Sequence, residues 1–164
     1  MAVASKALAI AKTVLFTLAV PGTIGVYIPW WLRDGARVVV PGFEACAAVA
    51  VIIVGAAIYL HTAFWGFAAI GLGTPAPIDP PKILVVRGLH HYVRNPMYIG
   101  VGLIIAGQAW LFRSLPIAIY LACDVLVVHL FVILYEEPTL KRHFGEEYER
   151  YRATVPRWVP KFRA

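Results

Sequence analysis

Four long apolar stretches dominate the sequence and restrict what the chain can fold into. They cover residues 13–32, 43–72, 97–112 and 115–135. A helix needs about 20 residues to cross the hydrocarbon core of a bilayer. The first, second and fourth stretches reach that length, whereas the third, with 16 residues, needs support at its ends. The pattern predicts an all-α fold, a polytopic membrane helix bundle of about four transmembrane helices.

Composition and chain length agree with this interpretation. Hydrophobic residues make up 60% of the 164 residues, above the roughly 45–50% that is usual for soluble domains. The length is that of one domain, so we expect a single membrane-embedded unit over residues 1–164. Cys46 and Cys123 both fall inside apolar stretches, where ordinary packing is expected rather than a disulfide or a metal site.

Short polar connections indicate how the helices follow one another. The third and fourth stretches are joined by "FRSL" alone, which predicts an antiparallel helical hairpin. Pro116 suits the first turn of the helix that follows. The proline-rich segment 73–82 is expected to end the second helix, and Pro21-Gly22 is expected to kink the first.

The positive charges predict the orientation in the membrane. With the N-terminus in the cytoplasm and four crossings, twelve of the 15 Lys and Arg residues lie on the cytoplasmic side and three lie opposite. Such a bias follows the positive-inside rule. The net charge of +6 is therefore explained by topology and by contact with lipid headgroups, and a nucleic-acid partner is not expected. The three residues on the opposite side are Arg33, Arg37 and Arg113.

The C-terminal segment has the pattern of an amphipathic helix. Its apolar residues recur at spacings of 4, 3 and 4, at Phe144, Tyr148, Tyr151 and Val155. Glu146 and Arg150 are placed for an i,i+4 ion pair on the opposite face. We expect an interfacial helix whose apolar stripe faces the bilayer or the bundle, followed by Trp158 as an interfacial aromatic residue.

Two polar motifs should meet at one end of the hairpin. Arg94, Asn95 and Tyr98 begin the third apolar stretch, and Glu136 and Glu137, in the motif "YEEP", close the fourth, where we expect its helix to end. Carboxylates favour a cation or hydroxyl donors, and the amides of a helix start favour an anion. S-Adenosylmethionine carries a sulfonium, an amino group, a carboxylate and ribose hydroxyls, and so satisfies all of these preferences. The residues alone leave open a solvated helix end beside a positive-inside anchor.

Three further polar residues lie within the apolar stretches, namely His61, Asp124 and His129. Ionisable groups inside the membrane are candidates for function by default. The alternative for each is a hydrogen bond that joins two helices.

A family resemblance rests on three motifs in order, "RNPMYIG", "LYEEP" and "HFGEEYERYRATVPRWVP". They resemble the integral-membrane methyltransferases typified by isoprenylcysteine carboxyl methyltransferase. "NPMY" with "LYEEP" is also similar to phosphatidylethanolamine N-methyltransferase. The resemblance covers roughly residues 73–160. It implies that residues 1–72 form two N-terminal transmembrane helices and that residues 73–164 form the cofactor-binding, catalytic portion.

The resemblance also implies the partners and the location. S-Adenosylmethionine would enter from the cytoplasm, and a lipophilic acceptor would enter from the bilayer between helices. Methyl transfer from a sulfonium requires no metal. We expect a multi-pass protein of a bacterial or archaeal inner membrane with both termini in the cytoplasm.

The chemistry of methyl transfer suggests the catalytic residues, and the resemblance implies the cofactor-binding residues. Arg94, His129 and Glu137 are the candidate catalytic residues, with Glu137 or His129 as the base that an amine acceptor would need. The candidate cofactor-binding residues are Lys82, Ile83, Leu84, Val85, His90, Asn95, Pro96, Met97, Tyr98, Glu136 and Glu137.

The chain departs from the family pattern at several positions. Val132 stands where the carboxyl methyltransferases have a substrate-binding arginine, and Asn95 stands where they have a histidine. His129, on the same helical stripe as Val132, would have to substitute as a cation. A glycine-based cofactor motif has two candidate positions, Gly71 with Gly73 and Gly100 with Gly102.

Two other functional classes compete with a methyltransferase. The sterol reductases share a similar third-helix motif but bind NADPH, and the Glu136-Glu137 pair disfavours the 2′-phosphate of that cofactor. A non-catalytic membrane scaffold would bind no cofactor.

Overall fold

The computed structural model of the chain describes residues 2–33, 35, 40–64 and 83–161, with side chains from residue 10 onward. Helix α1, Ala2–Ala19, runs into a π-helical turn, Thr23–Tyr27, and then into α2, Ile28–Leu32. Proline has no amide hydrogen, and the regular hydrogen bonding changes directly after Pro21. The expected interruption of the first helix therefore occurs, but the chain stays helical through it.

The remaining helices form the body of the bundle. Helix α3 covers Gly42–Leu60, α4 covers Pro96–Phe112 and α5 covers Leu115–Phe131. After a π-helical turn, Val132–Glu136, helix α6 covers Glu137–Thr154.

The connection between α4 and α5 is as tight as its sequence predicts. Arg113 ends α4 in the left-handed conformation, with φ of 45°. The side chain of Ser114 then accepts a hydrogen bond from the amide of Ile117, at 3.4 Å, and caps α5. Pro116 lies in the first turn of α5. The two helices pack side by side as the expected hairpin.

Helices α3 and α4 approach closely enough that only glycine fits between their backbones. A Cβ atom on Gly55 would lie 2.6 Å from the carbonyl oxygen of Gly100, and one on Gly100 would lie 2.7 Å from that of Gly55. Small residues at such crossings are typical of membrane helices, whose association depends on close packing. This contact fixes the position of α4, which carries one half of the site.

Three helical stretches are long and apolar enough to cross a membrane, and α4 is a shorter apolar helix. The three stretches are Ile10–Leu32, Gly42–Phe64 and Leu115–Thr154. No strand occurs among the described residues. The structure thus confirms the prediction of an all-α membrane helix bundle.

The end of the fourth apolar stretch differs from the expectation. The "YEEP" motif does not terminate the helix, because the π-helical turn Val132–Glu136 carries the chain into α6, with Pro138 in the first turn of α6. The break occurs instead at Gly145, where φ is 52° and ψ is −124°. Proline is tolerated in a first helical turn, since the amide hydrogen it lacks has no partner there.

The expected apolar stripe of the last segment faces the protein. Tyr148 is 2% exposed and Val155 is also buried. Glu146 and Arg150 form the expected i,i+4 pair, with Oε2 and Nη1 3.6 Å apart. The stripe therefore packs the second half of α6 against the segment that leads into α4.

Candidate functional site

The segment before α4 is held in place by the C-terminal segment. Within it, Leu84, Val85 and His90 are buried. The hydroxyl of Tyr151 donates to the carbonyl oxygen of His90 at 2.7 Å. The amide of Arg94 donates to the carbonyl oxygen of Pro156 at 2.9 Å. These contacts fold the chain after α6 back over the start of α4, so residues distant in sequence meet at one end of the bundle.

The histidine of this segment is buried beside a second one. Burial, and secondarily the nearby His61, lowers the pKa of His90 to about 4. A Cβ atom on Gly88 would lie 3.2 Å from Nε2 of His61, and Gly88 has a φ of +62°. His90 is therefore a neutral side chain at pH 7, which suits a polar contact rather than a charge.

Glu137 is the centre of a buried ion cluster. Its Oε1 atom accepts from Nη1 of Arg94 at 3.0 Å and from Nε of Arg157 at 2.6 Å, and its Oε2 atom accepts from Nη2 of Arg157 at 3.0 Å. The side chains of Arg94 and Glu137 are each 9% exposed. Bidentate arginine–carboxylate pairs are strong and geometrically specific. The carboxylate also raises the pKa of Arg157, so the cluster stays charged.

Glu136 points to a different partner from its neighbour. The hydroxyl of Tyr98 donates to its Oε2 atom at 3.0 Å. Since residues 1 position apart are about 100° apart around a helix, the π-helical turn presents Glu136 to Tyr98 and Glu137 to Arg94. The expectation that the two polar motifs meet in space is confirmed.

Asn95 completes the connection between the motifs and the C-terminal segment. Its Nδ2 atom donates to the carbonyl oxygen of Arg157 at 3.2 Å. Asn95 is buried, so this hydrogen bond satisfies an amide that burial would otherwise leave without water.

A cavity of about 210 Å³ lies between α4 and α5, next to these contacts. Its lining includes Tyr98 and Gly102 of α4, Asp124 and His129 of α5, and Trp158. Because the hydroxyl of Tyr98 binds Glu136, one side chain borders both the cavity and the acidic pair.

Trp158 and His129 form a hydrogen-bonded pair at the wall of this cavity. Nε1 of Trp158 lies 3.0 Å from Nδ1 of His129. An indole N–H can only donate, so Nδ1 accepts, and the hydrogen of the neutral imidazole is on Nε2. His129 thus has no free lone pair, and a doubly protonated ring would lose the bond to Trp158. Trp158, which we expected at the membrane interface, folds its indole onto α5.

The other predicted site residues differ in exposure and in location. Ile83 is 54% exposed, whereas Pro96 is buried at the start of α4. Met97 packs against the apolar core around Tyr59. Lys82 lies outside the described residues.

Of the candidate glycines, Gly102 lines the cavity, and nothing lies within 4 Å of the position its Cβ atom would take. Gly100 packs against the backbone of α3. Gly71 and Gly73 lie outside the described residues.

Three contacts of the site were not predicted from the sequence. Arg157 pairs with Glu137, Tyr148 accepts from Nη1 of Arg94 at 3.2 Å, and Trp158 binds His129. The stripe that contains Tyr148 was recognisable by its spacing. Nothing in the local pattern of "VPRWVP" distinguishes a side chain folded inward from one at the lipid interface.

The fold and the site define a helical membrane protein with a charged cluster beside an apolar cavity. The family model of phospholipid methyltransferases matches residues 44–147, more than half of the chain, and the chain belongs to this family. It is a membrane methyltransferase. The matched region includes Arg94, Tyr98, Glu136 and Glu137 and ends before Tyr148 and Arg157. No significant match to a curated protein was found.

Proposed function

We propose that the protein transfers the methyl group of S-adenosylmethionine to a lipophilic acceptor that reaches the site from the bilayer. The observation that carries the proposal is the 3.0 Å hydrogen bond from Tyr98 to Glu136. It joins the start of α4 to the acidic pair, within the region that the phospholipid methyltransferase model matches.

The chemistry of the residues present fits this methyl donor. Tyr98 holds Oε2 of Glu136, and no described residue hydrogen-bonds to Oε1, which can accept from a hydroxyl or an amino group. Nε of Arg94 is a buried donor without a partner, which suits a carboxylate. When bound, the donor supplies an activated methyl group on a positively charged sulfur. We propose that Glu136, Tyr98 and the buried segment before α4 hold it.

Glu137 has a positioning role in this proposal, because it holds Arg94 at the donor site. Both oxygens of Glu137 accept hydrogen bonds from guanidinium groups. A carboxylate in that setting is stabilised in its ionised form and is a poor proton acceptor. His129 is likewise engaged through Nδ1 by Trp158. We therefore assign these residues to the geometry of the site, and the proton of an acceptor needs another base.

The orientation follows from the charges at the two ends of the bundle. Arg113 pairs with Glu44 at 3.3 Å, and the guanidinium of Arg33 lies 5.0 Å from the ring centroid of Trp30. These arginines mark one end, and the cluster of Arg94 and Arg157 marks the other. We propose that the second end, with both termini, faces the cytoplasm.

The experiment compares Glu136→Gln with Glu147→Gln in the full chain, purified into lipid nanodiscs. Glu147 is exposed on α6 and serves as a control for the loss of one carboxylate. We expect the unsubstituted protein and Glu147→Gln to retain tritiated S-adenosylmethionine. Glu136→Gln should bind it at least about tenfold more weakly, a loss of roughly 1.4 kcal/mol.

Transfer of label to the lipid fraction is the second readout. The proposal requires tritium to appear in lipid with the unsubstituted protein and to fall with Glu136→Gln. Absence of donor binding in the unsubstituted protein, or full binding by Glu136→Gln, would contradict it. Thermal unfolding of each variant controls for loss of the fold.

A further inference from the structure

Asp124 is a carboxylate on a membrane-spanning helix, and the site described so far does not use it. It lines the cavity between α4 and α5. Among the described residues, no side chain forms a hydrogen bond or an ion pair with it. An ionisable side chain inside a bilayer is costly, and such residues are usually paired or functional. Its most direct use is to bind a ligand group inside the cavity.

The lining of the cavity favours a positively charged group. No lysine or arginine is among the described residues that line it. Nδ1 of His129 accepts the hydrogen bond of Trp158, so this lone pair is already occupied. The rings of Tyr98 and Trp158 border the cavity, and aromatic faces attract cations. A carboxylate acceptor would meet the like charge of Asp124 in this cavity and no opposite charge.

We propose that Asp124 binds the ammonium group of a lipophilic amine in this cavity and takes its proton before methyl transfer. The inference rests on the proposed function. Val125 and Val128, which also line the cavity, are apolar, which suits the hydrocarbon part of such an acceptor. Tyr98 lines the cavity and donates to Glu136, so the cavity and the proposed donor site share one side chain.

The step balances with these groups alone. The proton leaves nitrogen for the carboxylate of Asp124, and the freed lone pair forms the nitrogen–carbon bond to the methyl group. The sulfur–carbon bond breaks, and its electron pair stays on sulfur. The product is an N-methyl ammonium lipid and a neutral thioether. The positive charge passes from sulfur to nitrogen, and the apolar lining keeps out water that would otherwise hydrogen-bond to the freed lone pair.

Binding is tested first, without any requirement for activity. The probes are hexadecylamine and hexadecanoic acid, each with a diazirine on the chain, added to nanodiscs that contain the full protein. We expect the amine to label peptides of α4 or α5 at least about tenfold more than the acid does. Asp124→Asn should abolish this difference, whereas Asp124→Glu should keep it.

Two controls make the binding result specific. Val127 lies on the same helix and is exposed at the surface of the bundle, and Val127→Ala should label like the unsubstituted protein. Excess S-adenosylhomocysteine should not displace the amine, since it belongs to the site at Glu136. Equal labelling by amine and acid, unchanged labelling in Asp124→Asn, or displacement by S-adenosylhomocysteine would overturn the proposal.

The chemical class of the product gives an independent test. Tritiated product from total lipid extract is treated with alkali, which releases methanol from methyl esters and leaves N-methyl groups intact. We expect alkali-stable label, identified as N-methyl by mass spectrometry, and at least about 100-fold less of it with Asp124→Asn. Ester or ether product would overturn the assignment of Asp124 while leaving the proposed methyl transfer in place.

Discussion

Arg157 binds Glu137 through two parallel hydrogen bonds, from Nε at 2.6 Å and from Nη2 at 3.0 Å. The pair joins the chain after α6 to the beginning of α6. Arg94 reaches the same carboxylate from the start of α4. Three segments therefore meet at one side chain. The geometry of the site depends on this carboxylate as much as on any helix–helix contact.

Arg157→Ala should destabilise the fold, because it removes the bidentate partner of a buried carboxylate. Arg157 is partly exposed, with 29% of its side chain accessible, so we expect a loss of about 1–3 kcal/mol rather than the larger value for a fully buried pair. Thermal unfolding in detergent measures it. Arg150→Ala removes an exposed i,i+4 pair instead and should change stability by less than about 0.5 kcal/mol. Equal effects of the two substitutions would contradict the importance of the Glu137 cluster.

The two adjacent glutamates should respond differently to the same substitution. Glu137→Gln leaves the guanidinium groups of Arg94 and Arg157 without their charged partner, so it should lower stability by about 1–3 kcal/mol. Among the described residues, only the Tyr98 hydroxyl hydrogen-bonds to Glu136, so Glu136→Gln should reduce donor binding with a smaller effect on unfolding. Parallel measurements of unfolding temperature and donor retention separate the two. Indistinguishable variants would refute the division of roles.

The crossing of α3 and α4 gives a test of the membrane packing. Gly55→Ala would bring a methyl group within 3 Å of backbone atoms of α4, and overpacking of this kind costs about 1–3 kcal/mol. Gly102→Ala on α4 meets no atom within 4 Å and should be tolerated. Unfolding in detergent distinguishes them. Equal stability of Gly55→Ala and the unsubstituted protein would show that the helices can separate without cost.

The sequence predicted the meeting of the two polar motifs because a short hairpin leaves little freedom. "FRSL" makes α4 and α5 antiparallel neighbours, so Tyr98 near the start of one must approach Glu136 near the end of the other. Helical periodicity likewise placed Tyr148 on a packed stripe. These inferences depend on local geometry, which the order of residues determines directly.

Contacts made by the C-terminal segment could not be predicted in the same way. Arg157 and Trp158 follow a helix break, and their partners Glu137 and His129 are 20 and 29 residues away. A tryptophan among cations is typical of a membrane interface, and no periodic pattern indicates that it folds inward. The continuation of the helix past Pro138 was missed because a π-helical turn, which has no clear sequence signature, absorbs the proline.

The buried His90 predicts how stability depends on pH. Its pKa is lowered to about 4 in the folded protein, against about 6.5 in an unfolded chain. As pH falls below 6.5, the unfolded state therefore binds the proton first. The contribution of His90 to the free energy of unfolding is fully present above pH 6.5. It decreases by up to about 1.4 kcal/mol per pH unit as the pH falls to 4.

Unfolding temperatures at pH 7.5 and pH 5 should differ less in His90→Gln than in the unsubstituted protein. His143→Gln, at an exposed position, is the matched control and should retain the full difference. If His90→Gln retained that difference too, burial of His90 would not be its source.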